Sequence, residues 1–207
     1  MDAGRPSWDR MMARRKDVRR RFPDPLRLPL TRRPEALIAS RLPGSVRLLD
    51  VGAGDGSLEG KLRAEGAEVD YTGVDPLGTA TVRALDEARG PFGAACLLEV
   101  IEHLEPDEGA DLLRAVREKL APGSPVFLST PNVFKPGQFE RDATHKTPYA
   151  WEELGALVLV AGFELEGLFR VYNAPWVSRL AHLVVFRWLH RFLQIDCARS
   201  VMAVGRR

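Results

Sequence analysis

The sequence predicts an α/β domain built on a doubly wound, mostly parallel sheet of seven strands, or of six should the third be lost. Three observations carry that expectation. Val46, Leu48, Leu49 and Val51 form the short apolar run of a strand buried on both faces. Gly52, Gly54 and Gly56 follow at alternate positions and open a helix through Leu58, Leu62 and about Ala64, which makes a strand, a tight turn and a helix. Further apolar runs then alternate with amphipathic stretches to the end of the chain, as parallel sheets covered on both faces require.

Composition sets the outer limits. A chain of 207 residues with 45% hydrophobic content can fill one core and is too short for two ample ones. The formal net charge of +2 makes no global demand for nucleic acid. Residues 1–33 nevertheless hold eleven Arg or Lys against four Asp, so they read as a basic lead-in to a domain spanning 34–207. That lead-in carries a helix over 8–22, ended by Pro23-Asp24-Pro25, and is either a solvated segment or an arm for phosphates on RNA or an anionic membrane. Cys96 and Cys197 are the only cysteines, with no CxxC, so neither a disulfide framework nor a cysteine metal site is expected. The N-terminus lacks the apolar run of a signal peptide, which predicts a cytoplasmic protein.

Residues 34–42 read as a short helix stopped by Pro43-Gly44, and the first full strand follows. In the glycine turn the backbone can take positive φ and let a ligand lie against it, while the N-terminus of the next helix, capped by Ser57, points N–H groups at the same spot. Residues 69–75, Val-Asp-Tyr-Thr-Gly-Val-Asp, form the second strand, and Asp75 at its end can accept hydrogen bonds from ribose hydroxyls. Only 23 residues separate Asp75 from Glu99, too few for a full helix and a third strand. Two readings stand: residues 79–85 are extended and end at Asp86, the preferred reading although a right-handed crossover between parallel strands usually takes about a dozen residues or more, or 79–89 is a short helix with Val82 and Leu85 inward.

Residues 94–100 are the fourth strand, feeding Glu99-Val-Ile-Glu102-His103 at the sheet edge where α/β proteins place ligands. Two carboxylates and an imidazole at that spacing can converge on Mg²⁺, Mn²⁺ or Zn²⁺. A helix over 108–120, a strand over 125–130, a helix over 151–161 and strands at 163–171 and 200–204 complete the order. Two segments exceed what such a fold needs. One is the loop 131–148 with Arg141-Asp142 and Thr144-His145, too long for a connector. The other is a cap insertion at about 172–199, whose apolar residues recur at helical spacing over 175–194. Three arginines there exclude a membrane-spanning helix, but the apolar face fits a hydrophobic acceptor, peripheral membrane contact, or core.

The glycines follow Asp50-x-Gly52-x-Gly54-x-Gly56 rather than G-x-G-x-x-G, whose third glycine would fall on Ser57. NAD chemistry is thereby disfavoured. The pattern resembles motif I of the class I S-adenosylmethionine-dependent methyltransferases, with a Rossmann-like sheet. The resemblance covers about 45–205 and implies S-adenosylmethionine as cofactor, held by Asp50, Gly52, Gly54, Gly56 and Asp75, with Asp86 matching the acid beside adenine. Glu99-x-x-Glu102-His103, Ser129-Thr130-Pro131-Asn132, Thr144-His145, Glu153-Leu154 and Ala161-Gly162-Phe163 are similar to ubiquinone-biosynthesis O-methyltransferases. Glu99, Glu102, His103 and His145 also resemble the four metal ligands of small-RNA 3′-terminal 2′-O-methyltransferases. Both resemblances imply a divalent cation.

The expected function is O-methylation of a small hydrophobic, aromatic or sugar-linked acceptor, with His103, His145 and Glu99 at the reacting end. His103 or His145 would take the hydroxyl proton, or the cation would lower the hydroxyl's pKa. Thin basic and aromatic content in the body argues against RNA, and the intact cofactor motif argues against a non-catalytic binding module.

Overall fold

A computed structural model of the chain describes residues 7–77, 80–172 and 187–207. Its sheet has seven strands, β1 (Leu30–Thr31), β2 (Val46–Val51), β3 (Val69–Val74), β4 (Ala94–Leu98), β5 (Pro125–Pro131), β6 (Glu164–Val171) and β7 (Ser200–Arg206). They lie in the order β1-β6-β7-β5-β4-β2-β3, parallel except for β7, which runs antiparallel to both neighbours. β5 is buried along its whole length, the pattern of a central strand covered on both faces.

Helices α1 (Ser7–Arg21), α4 (Pro106–Lys119) and α5 (Trp151–Val160) cover one face, where Met11, Val18, Leu113 and Leu157 join the larger apolar cluster. Helices α2 (Pro34–Ala39) and α3 (Ser57–Ala64) cover the other, around Ile38, Leu48, Leu62 and Phe127. A last helix, α6 (Arg187–Leu193), precedes β7. Among the described residues no helix is long and apolar enough to cross a membrane.

The basic lead-in is, from Ser7 onward, part of this packing. Met11 and Val18 are buried, and three arginines of the helix reach across to the domain: Arg15 and Arg19 both reach the buried Glu152 of α5, at 2.8 and 2.6 Å, and Arg21 donates to carbonyls of Leu165 and Glu166. These two bonds hold the Glu152 carboxyl below its usual range against the cost of its burial. Of the two readings of this segment, solvated lead-in or phosphate-binding arm, neither describes Arg15, Arg19 and Arg21, which face partners in the domain, while Arg14 and Arg20 pair with Asp17 on the helix's own surface.

Among the described residues the third strand is absent, and the seventh strand of the sheet is instead β1, added at the opposite edge beside β6. Of the extended segment expected at 79–85, what remains is one bridge: Val82 pairs with Val74, its N–H reaching Gly73 O at 3.0 Å and its carbonyl accepting from Asp75 at 3.2 Å. Residues 85–87 then make a 3₁₀ turn, so neither the full strand nor the alternative helix forms. Asp86 sits in that exposed turn and accepts from the Glu87 N–H. Too few residues span the crossover for a strand that would have to run alongside β3.

A smaller correction concerns α3. Its N-cap is Gly56 in the left-handed region, and Ser57 is the first helical residue, its N–H received by Asp55 at 3.0 Å. Glycine is needed because φ is +73° there.

Candidate functional site

The C-terminal ends of β2, β4 and β5 lie side by side, with Asp50 opposite Cys96 and Leu98 opposite Ser129. Loops leaving these ends build two adjoining features. The first is the glycine turn. Gly52, Gly54 and Gly56 all have positive φ, and a Cβ at Gly54 or Gly56 would meet nothing within 4 Å, so backbone faces open space. Asp75 braces this turn: one carboxylate oxygen accepts the Gly54 N–H at 2.8 Å and the other the Leu77 N–H at 2.8 Å. Asp50 is 3% exposed and accepts from the Tyr71 hydroxyl, and its burial pushes its pKa up to about 6. It supports the strand end from within rather than facing the opening.

The second feature is a cavity of about 520 Å³ lined by Glu99, Glu102, His103, Gln138, Asp142 and His145, with Lys135, Arg141 and Arg199 among its other walls. Val100 joins the two features. A Cβ on Gly52 would lie 2.4 Å from Val100 Cγ2, so the turn that carries Glu99 and Glu102 packs directly on the glycine turn.

Glu99 leaves β4 with φ +56°, a conformation rare for a residue with a side chain and one that concentrates at functional sites. Ser129 Oγ donates to its carboxylate at 2.7 Å, while burial pushes its pKa above the usual range. A 3₁₀ turn over Ile101–His103 follows. The long loop is stapled to this turn: Lys146 and Thr147 both donate backbone N–H groups to Glu102 O, at 2.8 and 3.0 Å, and Thr147 Oγ1 donates to Leu104 O at 2.6 Å. That staple brings His145 to His103, ring centroids 4.8 Å apart.

The two imidazoles have legible tautomers. His145 Nδ1 lies 2.6 Å from Phe139 O, and a carbonyl only accepts, so Nδ1 carries the hydrogen. Thr144 Oγ1 spends its proton on Asp142 Oδ1 at 2.6 Å and can only accept from His103 Nδ1, 2.9 Å away. In both rings the lone pair is therefore on Nε2. Glu102 is fully buried, and neither of its carboxylate oxygens has a hydrogen-bond partner. Burial, assisted by the charge of Glu99, pushes its pKa up to about 8. One ligand atom each from Glu102, His103 and His145 falls within a 4.8 Å cluster.

A family model described as a methyltransferase domain matches residues 14–177. The chain belongs to the S-adenosylmethionine-dependent methyltransferase family. Among curated relatives, ubiquinone biosynthesis O-methyltransferase of Xanthomonas axonopodis pv. citri is 29% identical over 177 residues, covering 69% of this chain and 73% of the relative. The enzyme of the same name from Aeromonas salmonicida is 34% identical over 107 residues, 42% of this chain and 43% of the relative. This match thus spans less than half of that relative's length. Of the solved structures, a SAM-dependent methyltransferase from Archaeoglobus fulgidus superposes with a TM-score of 0.62 at 19% identity, over 84% of this chain and 94% of that one. It shows the shared fold.

In this methyltransferase the residues expected from sequence divide cleanly. Gly52, Gly54, Gly56 and Asp75 meet at one opening, with Asp50 behind them; Glu102, His103 and His145 meet in the cavity, which Glu99 also lines. Asp86 has no contact with either feature among its observed hydrogen bonds. The roles of Ser129, Asp142 and Thr144 as orienting partners are additions from the structure, although the motifs that hold them stood out in the sequence; Lys135, Gln138 and Arg199 as walls are new, and Arg199 lies outside the long loop altogether. The helical pattern over 175–194 falls mostly outside the described residues, and its end, α6, exposes Trp188, Phe192 and Leu193.

Proposed function

We propose that the chain methylates a hydroxyl oxygen of a small acceptor seated in the 520 Å³ cavity, using S-adenosylmethionine bound at the glycine turn. The observation that carries this reading is the convergence of two Nε2 lone pairs and the unpartnered Glu102 carboxylate in a cavity that abuts that turn through Val100. The relatives named as O-methyltransferases support oxygen as the acceptor atom.

Methyl transfer is an in-line displacement: a C–O bond forms as the C–S bond breaks, and the hydroxyl proton must leave. Holding acceptor and donor in line lowers the barrier by perhaps ~7 kcal/mol or more. Nε2 of His103 or His145 accepts the proton, and the Asp142–Thr144 chain stabilises the charge that then forms on His103. Glu99, fixed by Ser129, and Glu102 set the polarity of the floor. The alternative route gives those same Nε2 lone pairs to a divalent cation in place of a proton: the orphaned Glu102 oxygens and the 4.8 Å cluster fit one, which Glu102, His103 and His145 would hold with Glu99 nearby. Such a cation supplies Lewis acidity that lowers a hydroxyl's pKa.

Calorimetry with S-adenosylmethionine and S-adenosylhomocysteine, followed by methyl transfer to a panel of catechols and sugar alcohols with Mg²⁺, Mn²⁺ or chelator, tests the reading. Binding of both cofactor forms and transfer to oxygen are expected. A protein that binds neither form refutes it.

A further inference from the structure

The cavity is electrically two-ended. Its floor holds Glu102, fully buried, and Glu99. Its rim holds Lys135, Arg141 and Arg199, of which Arg141 and Arg199 are exposed. Asp142, the one carboxylate at the rim, already receives the Thr144 hydroxyl at 2.6 Å and the Thr144 N–H at 2.8 Å. Among the described residues none of the three cations makes a side-chain hydrogen bond or a close ion pair, although Arg199 lies near enough to Glu99 to favour that carboxylate's charged form. Elsewhere buried or half-buried carboxylates draw arginines to them: Arg15 and Arg19 to Glu152, Arg33 to Glu65, Arg170 to Asp196. Beside the rim cations Gln138 is buried with its Oε1 unpartnered, an acceptor suited to a hydroxyl of the ligand rather than to its anionic group.

Resting on the methyltransferase reading, we propose that Lys135, Arg141 and Arg199 form a subsite for an anionic group, carboxylate or phosphate, carried by the acceptor whose hydroxyl is to be methylated. Guanidinium pairs recognise both anions in bidentate fashion. The floor takes the hydroxyl, the rim takes the anion, and a bifunctional acceptor would be held at both ends, which is how in-line geometry is enforced. A small acceptor is favoured over RNA on two grounds. The cavity has the volume of a small-molecule site. The basic helix α1, the other candidate contact for a polyanion, directs Arg15, Arg19 and Arg21 to partners in the domain.

The test compares neutral and anionic members of two matched pairs, catechol with 3,4-dihydroxybenzoate and glycerol with glycerol 3-phosphate, by calorimetry on protein saturated with S-adenosylhomocysteine. The anionic member of at least one pair is expected to bind about tenfold tighter, a preference that added salt weakens. Whichever pair shows the larger preference assigns carboxylate or phosphate. In the Arg141→Gln/Arg199→Gln variant the preference should shrink to about threefold or less, with S-adenosylhomocysteine affinity unchanged as the control for folding. Equal affinity within both pairs, or no binding of any of the four, overturns the subsite. Tight, salt-dependent binding of a 20-nucleotide RNA that both arginine substitutions abolish overturns the small-acceptor form. Cofactor binding is read in the same titrations, so loss of the subsite alone leaves the methyltransferase reading intact.

Discussion

Glu102→Gln isolates the most costly group in the cavity. The Glu102 carboxyl is fully buried, and its pKa stands at about 8 against a usual value of 4.5. Between those two pH values the unfolded chain has lost the proton that the folded protein keeps, so folding stability falls with rising pH by about 1.4 kcal/mol per pH unit. The loss begins near pH 4.5, is complete near pH 8, and totals about 5 kcal/mol as an upper limit. Glutamine has the same shape, stays neutral, and escapes it. Urea unfolding with chelator present should therefore find the variant close to wild type at pH 5 and more stable by several kcal/mol at pH 8. Contributions from titrating groups distant from Glu102 cancel in this difference, whereas Glu99, whose charge is coupled to that of Glu102, adds to the gap at high pH. Added Mn²⁺ at pH 8 should stabilise the wild type, by binding the folded state alone, and leave the variant unmoved. A gap between the two proteins that does not change from pH 5 to pH 8 would refute the assignment of strain to this carboxylate.

Three further outcomes follow from the geometry. Gly52→Ala places a Cβ 2.4 Å from Val100 Cγ2 and should lower both stability and cofactor affinity; Gly54→Ala meets nothing, and at φ +55° should cost about 1–2 kcal/mol of stability while weakening S-adenosylmethionine about tenfold in calorimetry. His103→Ala should leave cofactor affinity within about twofold and cut turnover about tenfold or more, measured as initial rates of methyl transfer. Thr144→Val removes the acceptor that fixes the His103 tautomer, so turnover should fall about tenfold and the pH–rate profile move, with S-adenosylhomocysteine affinity unchanged; Thr144→Ser should restore both, and a Ser variant as poor as Val would point to packing instead.

The parts of the site that sequence made legible are those whose physics is local. Gly52, Gly54 and Gly56 stand out because backbone at φ of +76°, +55° and +73° strongly favours glycine, and an acid at the end of a neighbouring parallel strand can only point to the same edge. Glu102 and His103 stand out by spacing within one turn. What stayed hidden is what tertiary contact decides. The arginines of α1 look like an arm in a charge count and become partners of Glu152, more than a hundred residues away. The missing third strand was visible as a shortage of residues, but not its replacement by Leu30–Thr31 at the far edge, because two residues carry no periodicity to read. Likewise no spacing rule ties Arg199, just before the last strand, to the Glu99 turn.

Val100 carries the argument that joins the two halves. A strand end that only held a cofactor would not need its neighbour's turn pressed against Gly52, and a turn that only shaped a cavity would not need Glu99 at φ +56°. A cofactor that shifted the glycine turn would press on Val100 and through it on the turn that carries Glu99 and Glu102. Ordering of the glycine turn by cofactor should then tighten acceptor binding, and by linkage acceptor should tighten cofactor by the same factor. Calorimetric titrations of S-adenosylhomocysteine with and without an acceptor measure that factor directly. A value of one would mean that the contact through Val100 transmits nothing, and that the two features are merely adjacent.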